Sequence, residues 1–268
     1  MRRGLCHMIQ EDIVNILQQT PFFVTKNGTL YLEDCFNVLP DIPDGSVDMI
    51  LCDLPYGTTN FKWDQKLPFC QLWAEYSRLI REHGVIALTA QQPFATDLIA
   101  TGRKMFRYEL IWEKTLACGF LNANRMPLRA HENILIFYKK LPVYHPQMMP
   151  GTSYYKKGGG ESSVYGRKYR VQEHRNTGQR YPRSVLRFAN ASARNHGHPT
   201  EKPLELFEWL IRTYTNEGDL ILDNCLGSGT TAVAAERLAR RWLGIEKELE
   251  YCEMTKKRLA ELGDTSNE

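Results

Sequence analysis

The sequence predicts an α/β protein: a Rossmann-like, mostly parallel, seven-stranded sheet with helices on both faces and an antiparallel edge strand, carrying an inserted basic recognition region. Three observations predict it. Seven short apolar runs, at 29–32, 47–52, 85–89, 108–112, 133–138, 219–222 and 241–245, read as strands. Amphipathic patterns at 69–81, 93–103, 204–215, 230–240 and 248–262 alternate with several of them, as helices covering both faces of a parallel sheet do. The runs at 47–52 and 219–222 each lead into an acid and a turn, the place where open α/β sheets hold their ligands. Between 108–112 and 133–138 no helical pattern intervenes, so these two are expected to pair antiparallel at one edge. The organisation expected is an N-terminal extension over 1–28, one half-domain over 29–140, an insert over 141–196 and a second half-domain over 197–268.

Charge is distributed unevenly. The net charge is +3, yet residues 141–196 hold ten Lys and Arg against two Glu, a net +8, and leave −5 on the rest. A basic module in an acidic body suggests a polyanionic partner. Tyr144, Tyr154, Tyr155, Tyr165, Tyr169, Tyr181 and Phe188 interleave with those cations, and Lys156-Lys157-Gly158-Gly159-Gly160 reads as loop. The segment is therefore expected to be a long recognition loop. The seven cysteines are scattered with no CxxC spacing, which argues against zinc and a disulfide framework and fits a reducing compartment. No apolar run approaches a membrane span of about 20 residues. Gln10, Glu11, Asp12 and Asn15 interrupt any signal-peptide core; Ile9, Ile13, Ile16 and Leu17 suggest a short packed helix instead, with a loosely held extension as the equal alternative.

Asp53-Leu54-Pro55-Tyr56 follows the second strand. Pro55 fixes its own φ and holds Leu54 extended, so a carboxylate and a carbonyl can accept both hydrogens of a planar amino group beside an aromatic ring. The bland alternative is a strand that simply ends in an Asp-x-Pro turn. Asp223-Asn224-Cys225-Leu226-Gly227-Ser228-Gly229-Thr230-Thr231 reads as strand, glycine-rich turn and helix, with Thr230 and Thr231 available as caps. The next strand ends in Glu246, placed to hold ribose hydroxyls. No Lys follows the glycines, so this is not a Walker loop, but Gly227, Gly229 and Ala232 do fit a dinucleotide fingerprint. Two features weigh against a dehydrogenase. The glycine turn lies in the last strand–helix–strand unit rather than the first, and Asp34, Asp53, Asp223 and Glu246 make an acidic pocket that suits a sulfonium cation better than a pyrophosphate.

These motifs resemble the β-class DNA amino-methyltransferases. The resemblance rests on Asp53-Leu54-Pro55-Tyr56, then His198-Pro199-Thr200-Glu201-Lys202-Pro203, then Asp223 to Thr231, with a basic insert in the gap, and extends over about residues 29–262. It implies S-adenosyl-L-methionine as cofactor, held by Asp34, Cys35, Thr200, Lys202, Asp223, Cys225, Gly227, Gly229, Thr230, Thr231 and Glu246. It implies Asp53, Leu54, Pro55 and Tyr56 as the catalytic set; Phe61 and Trp63, which follow the turn, are open between walls of the base pocket and plain core. It implies double-stranded DNA as partner, contacted through Lys156, Lys157, Arg167, Lys168, Arg170, Arg175, Arg180 and Arg183. A cytoplasmic protein is implied, with a homodimer and a cognate restriction endonuclease as further partners the family admits. The chain departs from the family at Leu54, where proline is usual, and at Asn224-Cys225, where Pro-Phe is common.

The expected reaction is transfer of a methyl group to the N6 amino group of adenine in a flipped-out base. Asp at position 53 favours adenine by family habit; cytosine N4 presents the same amino geometry and stays open as the alternative. A DNA-binding protein on a degenerate methyltransferase scaffold and a dinucleotide oxidoreductase are the rivals from other classes.

Overall fold

The computed structural model describes residues 19–158, 161–162, 169–170, 173–191 and 201–264. They fall into two compact units, one drawn from the chain up to His145 and again from Ser184 onward, the other Pro146–Arg183. The N-terminal helix expected around 9–17 lies outside the described residues.

The larger unit is built on a nine-stranded sheet. Its strands are β1 (Phe23–Val24), β2 (Gly28–Leu32), β3 (Val47–Cys52), β4 (Ile80–Ala90), β5 (Phe106–Cys118), β6 (Arg129–Phe137), β7 (Val185–Phe188), β8 (Leu220–Asp223) and β9 (Arg241–Glu246), in the order β1-β2-β9-β8-β3-β4-β6-β5-β7. All seven expected strands are present. The two additions are edge strands of two and four residues, largely open to solvent, so neither carries a buried apolar run. Strands β2, β9, β8, β3 and β4 run parallel. Strand β6 runs against both neighbours. The expected antiparallel pair thus exists, but parallel β7 closes the edge outside it.

Helices α1 (Cys35–Val38), α2 (Phe69–Leu79), α3 (Phe94–Thr101), α4 (Leu204–Tyr214), α5 (Thr230–Arg237) and α6 (Leu249–Asp264) flank the sheet. Side chains alternate across a strand, so β3 feeds two cores. Ile50 and Cys52 pack with Leu72, Tyr76 and Leu98 of α2 and α3. Met49 and Leu51 pack with Leu210, Val233 and Leu259 of α4, α5 and α6. Burial on both faces explains why this strand reads as an unbroken apolar run. Each such side chain stabilises by roughly 1.5–3 kcal/mol.

Strands β3 and β8 lie side by side, with Ile221 opposite Met49 and Leu222 opposite Ile50. The chain leaves β3 toward β4 on one side and β8 toward β9 on the other. This reversal is a topological switch point, where a crevice opens beyond the strand ends. Asp48 fixes the pairing from below: Leu220 N donates to its Oδ2 at 2.9 Å, and Arg81 pairs with its Oδ1 at 2.5 Å.

The second unit is not the loop expected from sequence. Its described residues form a two-stranded antiparallel arm in three short pairings: Met149–Pro150 with Gln179–Arg180, Tyr154–Lys156 with His174–Asn176, and Glu161–Ser162 with Tyr169–Arg170. Among the described residues, no helix is long and apolar enough to cross a membrane.

Candidate active site

The crevice at the switch point is a cavity of about 550 Å³ in the larger unit. At one end Asp53 leaves β3 and is tied from three directions. Tyr56 Oη donates to its Oδ1 at 2.7 Å, Thr89 of β4 donates to the same oxygen, and Lys202 Nζ donates to Oδ2 at 2.5 Å. Leu54 and Tyr56 are buried, and the Tyr56 ring packs against Phe94 at 5.1 Å between centroids. Burial and the Asp53 charge push the Tyr56 phenol well above its usual range, so it stays a neutral donor.

The chain after this turn is held by a residue that sequence reasoning passed over. Asp64 accepts from the amides of Gly57, Thr58 and Thr59 at 2.8, 2.9 and 2.7 Å and from the Thr59 hydroxyl at 2.7 Å. Burial opposes its ionisation, but these donors outweigh burial and hold its carboxyl below the usual range. Of the two candidate pocket walls, Trp63 lines the cavity, while Phe61 stacks on Trp63 at 5.2 Å from outside.

Behind Asp53 lies a charge network that the sequence did not reveal. Lys202 Nζ also stands 3.5 Å from Glu132 Oε2, and the Lys114 ammonium pairs with Glu132 Oε1. The Lys202, Glu132 and Lys114 side chains are only 7, 5 and 7% exposed, so they compensate one another away from water. Burial works against charge on Glu132, yet the two ammoniums hold its carboxyl below the normal value; burial likewise disfavours the Lys202 ammonium, yet Asp53 and Glu132 raise it above normal. Glu132 and Lys202 are therefore ionised near neutrality. Gln91 Nε2 donates to Glu132 at 3.0 Å, and Arg129 donates to Gln91. Lys202 was expected among cofactor groups; its contacts are with Asp53 and Glu132.

The other end of the cavity is the glycine turn. Gly229 sits at φ +82° and a Cβ there would come within 2.5 Å of Thr255 Oγ1, so the turn needs glycine. Glu246 Oε2 accepts from Gly227 N at 2.8 Å and Oε1 from Glu248 N at 2.9 Å; burial raises its carboxyl above the usual range. Asp223 accepts from Thr231 Oγ1 at 2.5 Å and Cys225 N at 3.1 Å, and burial pushes it up to about 6. Its carboxylate therefore braces the turn. Thr230 and Thr231 do not cap α5 with their side chains: the N-cap is Gly229, and their hydroxyls face Arg258 and Asp223. Asp34 caps α1 through Phe36 N at 2.9 Å and lines the cavity beside Cys35. Cys225 also lines it, and Cys52 lies in the core beneath, its thiol pushed up to about 12 by burial. No cysteine is set up as a nucleophile among these.

Thus Asp34, Cys35, Asp53, Leu54, Pro55, Tyr56, Lys202, Asp223, Cys225, Gly227, Thr230, Thr231 and Glu246 line one cavity, and Gly229 shapes its turn. Thr200, Arg167 and Lys168 lie outside the described residues. In the arm, Lys156, Lys157, Arg175 and Arg183 are exposed, and the Arg175 guanidinium lies 5.4 Å over the Tyr155 ring. Arg170 stands in the strand opposite Glu161. Arg180 is built into the arm, donating to Asn176 and the Thr152 carbonyl and covering Tyr154 at 4.8 Å.

A doubly wound sheet whose switch-point cavity joins an Asp-x-Pro-Tyr turn to a glycine turn followed by a strand-end Glu defines an amino-group-modifying transferase. Comparison with known proteins gives the particular family. The chain belongs to the DNA methylase family of N6/N4 DNA methyltransferases, whose model matches residues 47–257. It is 28% identical over 274 residues to the type II methyltransferase M2.LlaDCHI of Lactococcus lactis subsp. cremoris, covering 91% of this chain and 93% of that one. Against M2.DpnII of Streptococcus pneumoniae, 69 residues are 51% identical, 26% of each chain. The fold matches the cytosine-N4-specific PvuII DNA methyltransferase with a TM-score of 0.66 at 17% identity, covering 90% of this chain and 89% of that one. It matches the M1.HpyAVI–SAM complex with a TM-score of 0.59 at 24% identity, covering 87% and 98%.

Proposed function

We propose that this DNA methyltransferase moves a methyl group from S-adenosyl-L-methionine to the N6 amino group of a flipped-out adenine. The observation that carries the reading is that Asp53 and Leu54 share one cavity with Gly227 and Glu246.

The cavity's chemistry fits the cofactor. Glu33, Asp34, Asp223, Glu246 and Glu201 give it acidic walls against a sulfonium cation. Glu201 pairs with Arg258 at 2.9 Å through one oxygen, while its buried Oε2 has no hydrogen-bond partner among the described residues and suits an ammonium. Glu246, with lone pairs beyond those given to Gly227 and Glu248, would hold ribose hydroxyls, and the glycine turn would border the methionine moiety. When bound, the cofactor supplies a methyl group activated by the adjacent sulfonium.

The protein's task is to prepare the amino nitrogen. Its lone pair is delocalised into the base, so it is a poor nucleophile. With one hydrogen on Asp53 and one on the Leu54 carbonyl, the nitrogen can move toward tetrahedral geometry. Tyr56 and Thr89 saturate Asp53 Oδ1, which leaves Oδ2 for the amino group. Lys202 occupies that oxygen, and Glu132 is the second anion able to hold its ammonium as the amino group arrives. Alignment and the Asp53 charge supply the acceleration. Tyr56 would stack on the extruded base, and the exposed cations of the arm would meet phosphates. A homodimer and a cognate restriction endonuclease, in a bacterial, archaeal or phage-infected cytoplasm, complete the proposal; the type II relatives support the endonuclease.

Asp53→Ala should abolish methyl transfer while calorimetry still records cofactor binding; full activity in that variant would sink the mechanism. Expression in a methylation-free host, followed by mapping of modified bases, tests the target. N6-methyladenine is expected, and N4-methylcytosine would overturn the adenine assignment.

A further inference from the structure

The hairpin between β5 and β6 carries the most exposed apolar side chains of the described residues. Leu121 is 99% and Phe120 81% exposed, and Leu116 and Met126 are also open to solvent. Large apolar groups gathered in this way on a surface mark a contact site. The tip is ordered by its own backbone. The β5–β6 ladder ends at Cys118 opposite Arg129, Gly119 turns the chain at φ +92°, and Phe120–Asn122 forms a 3-10 turn. Arg125 N and Met126 N then donate back to the Asn122 carbonyl at 2.9 and 3.0 Å. Asn190 braces the outer strand, accepting from Leu116 N at 3.0 Å and donating to Leu116 O at 3.1 Å.

Position and charge say what covers this tip. Cys118, Arg129 and Asn190, the residues at its base, line the rim of the cavity that contains Asp53. From Thr115 to His131 the sequence has Arg125 and Arg129, both exposed, and no acid. An apolar point framed by cations at the mouth of a base pocket matches duplex DNA, with phosphates outside and a stack of apolar ring faces within. Extracting a base leaves a gap in that stack, and apolar wedges are the side chains that enter such gaps.

We infer that Phe120 and Leu121 enter the DNA base stack and hold open the space vacated by the target base. The inference rests on the base-flipping methyltransferase reading above and adds the element that keeps the base out. The wedge acts only where a base must leave a paired stack. Removing it should therefore cost most on intact duplex and least where pairing is already absent.

The test uses the full chain and its Phe120→Ala/Leu121→Ala variant. Methyl transfer is measured on two duplexes carrying the site mapped in host DNA: one fully paired, one with an abasic residue opposite the target. The variant should lose about ten- to hundredfold in kcat/KM on the paired duplex and less than about threefold on the abasic one. An equal loss on both overturns the wedge. An equal loss together with a shift from dimer to monomer in sedimentation assigns the tip to a second copy of the chain, and also overturns it. Circular dichroism controls for folding, which two exposed side chains should leave intact. If the wild type methylates neither duplex, the base-flipping reading itself has failed and the wedge falls with it.

Discussion

Glu132→Gln removes the anion between two buried ammoniums. In the folded protein, Lys202 Nζ lies 3.5 Å from Glu132 Oε2. At an effective dielectric constant of roughly 20, that separation is worth about 5 kcal/mol of attraction. Lys202 keeps Asp53 at 2.5 Å, which offsets part of the loss, whereas Lys114 loses its carboxylate partner. A net destabilisation of about 3 kcal/mol follows, the range for breaking one member of a buried ion pair. In a unit of this size that lowers Tm by roughly 6–12 °C, read by calorimetry near neutral pH. Glu132 has a folded-state value below its ordinary 4.5. Its contribution is thus present above about pH 4.5 and is lost as pH falls through the folded value, so the gap between wild type and variant should close in acid. Under the proposed mechanism turnover should fall too, because Lys202 is then left on the oxygen assigned to the amino group. Adding Lys202→Met removes one unbalanced cation and should restore at least half of the lost Tm. A Glu132→Gln protein melting within about 2 °C of wild type would refute the reasoning, as would a double variant less stable than the single one.

Other consequences can be measured separately. Asp223 holds its proton up to about pH 6 when folded, against an ordinary 3.8, so this contribution is full below 3.8 and is lost as pH rises through 6. Relative to Asp223→Asn, the wild type should lose about 1.4 kcal/mol between about pH 5 and pH 7.5 in urea melts; a constant difference would count against the burial argument. Gly229→Ala meets both a positive φ and Thr255, whereas Gly45→Ala meets φ +58° with nothing within 4 Å. Melting should show the first costing at least about 2 kcal/mol and the second about 1 kcal/mol; only the first should weaken cofactor binding. Lys156→Ala/Lys157→Ala should flatten the log–log salt dependence of DNA affinity by about two in fluorescence anisotropy, and an unchanged slope would remove these lysines from the DNA contact.

What could be read in advance divides along physical lines. Strands that bury apolar side chains on one or both faces announce themselves as apolar runs or alternations, so all seven expected strands were legible. Asp53-Leu54-Pro55-Tyr56 and Gly227-Ser228-Gly229 were legible because each is a local turn whose residues act together. Glu132, Lys114 and Gln91 were not, because each stands on a strand or at its end like any polar side chain and gains meaning only beside Lys202. The strands of the arm are hidden in the sequence for a related reason. Its pairings are two or three residues long and exposed, so no apolar face imposes an alternation that a reader could find. Asp64 carried a faint signal, an acid a few residues beyond Gly57-Thr58-Thr59, but its four donors can be counted only when the loop is folded.

Leu54 shows how one function can rest on different forces. Where the family usually has proline, this chain has a leucine whose side chain is only 2% exposed and belongs to the core shared with Tyr56 and Leu72. Pro55 still restricts the backbone of Leu54 from the following position. Burial of the side chain, worth roughly 2 kcal/mol, then anchors the residue from inside. Asp53 is fixed differently, by Tyr56, Thr89 and Lys202. One acceptor of the proposed amino clamp is therefore held by packing and the other by hydrogen bonds and charge. The packed half keeps its position whatever the protonation of its surroundings. The charged half depends on Lys202 and Glu132 remaining balanced, and it is there that turnover is exposed to perturbation.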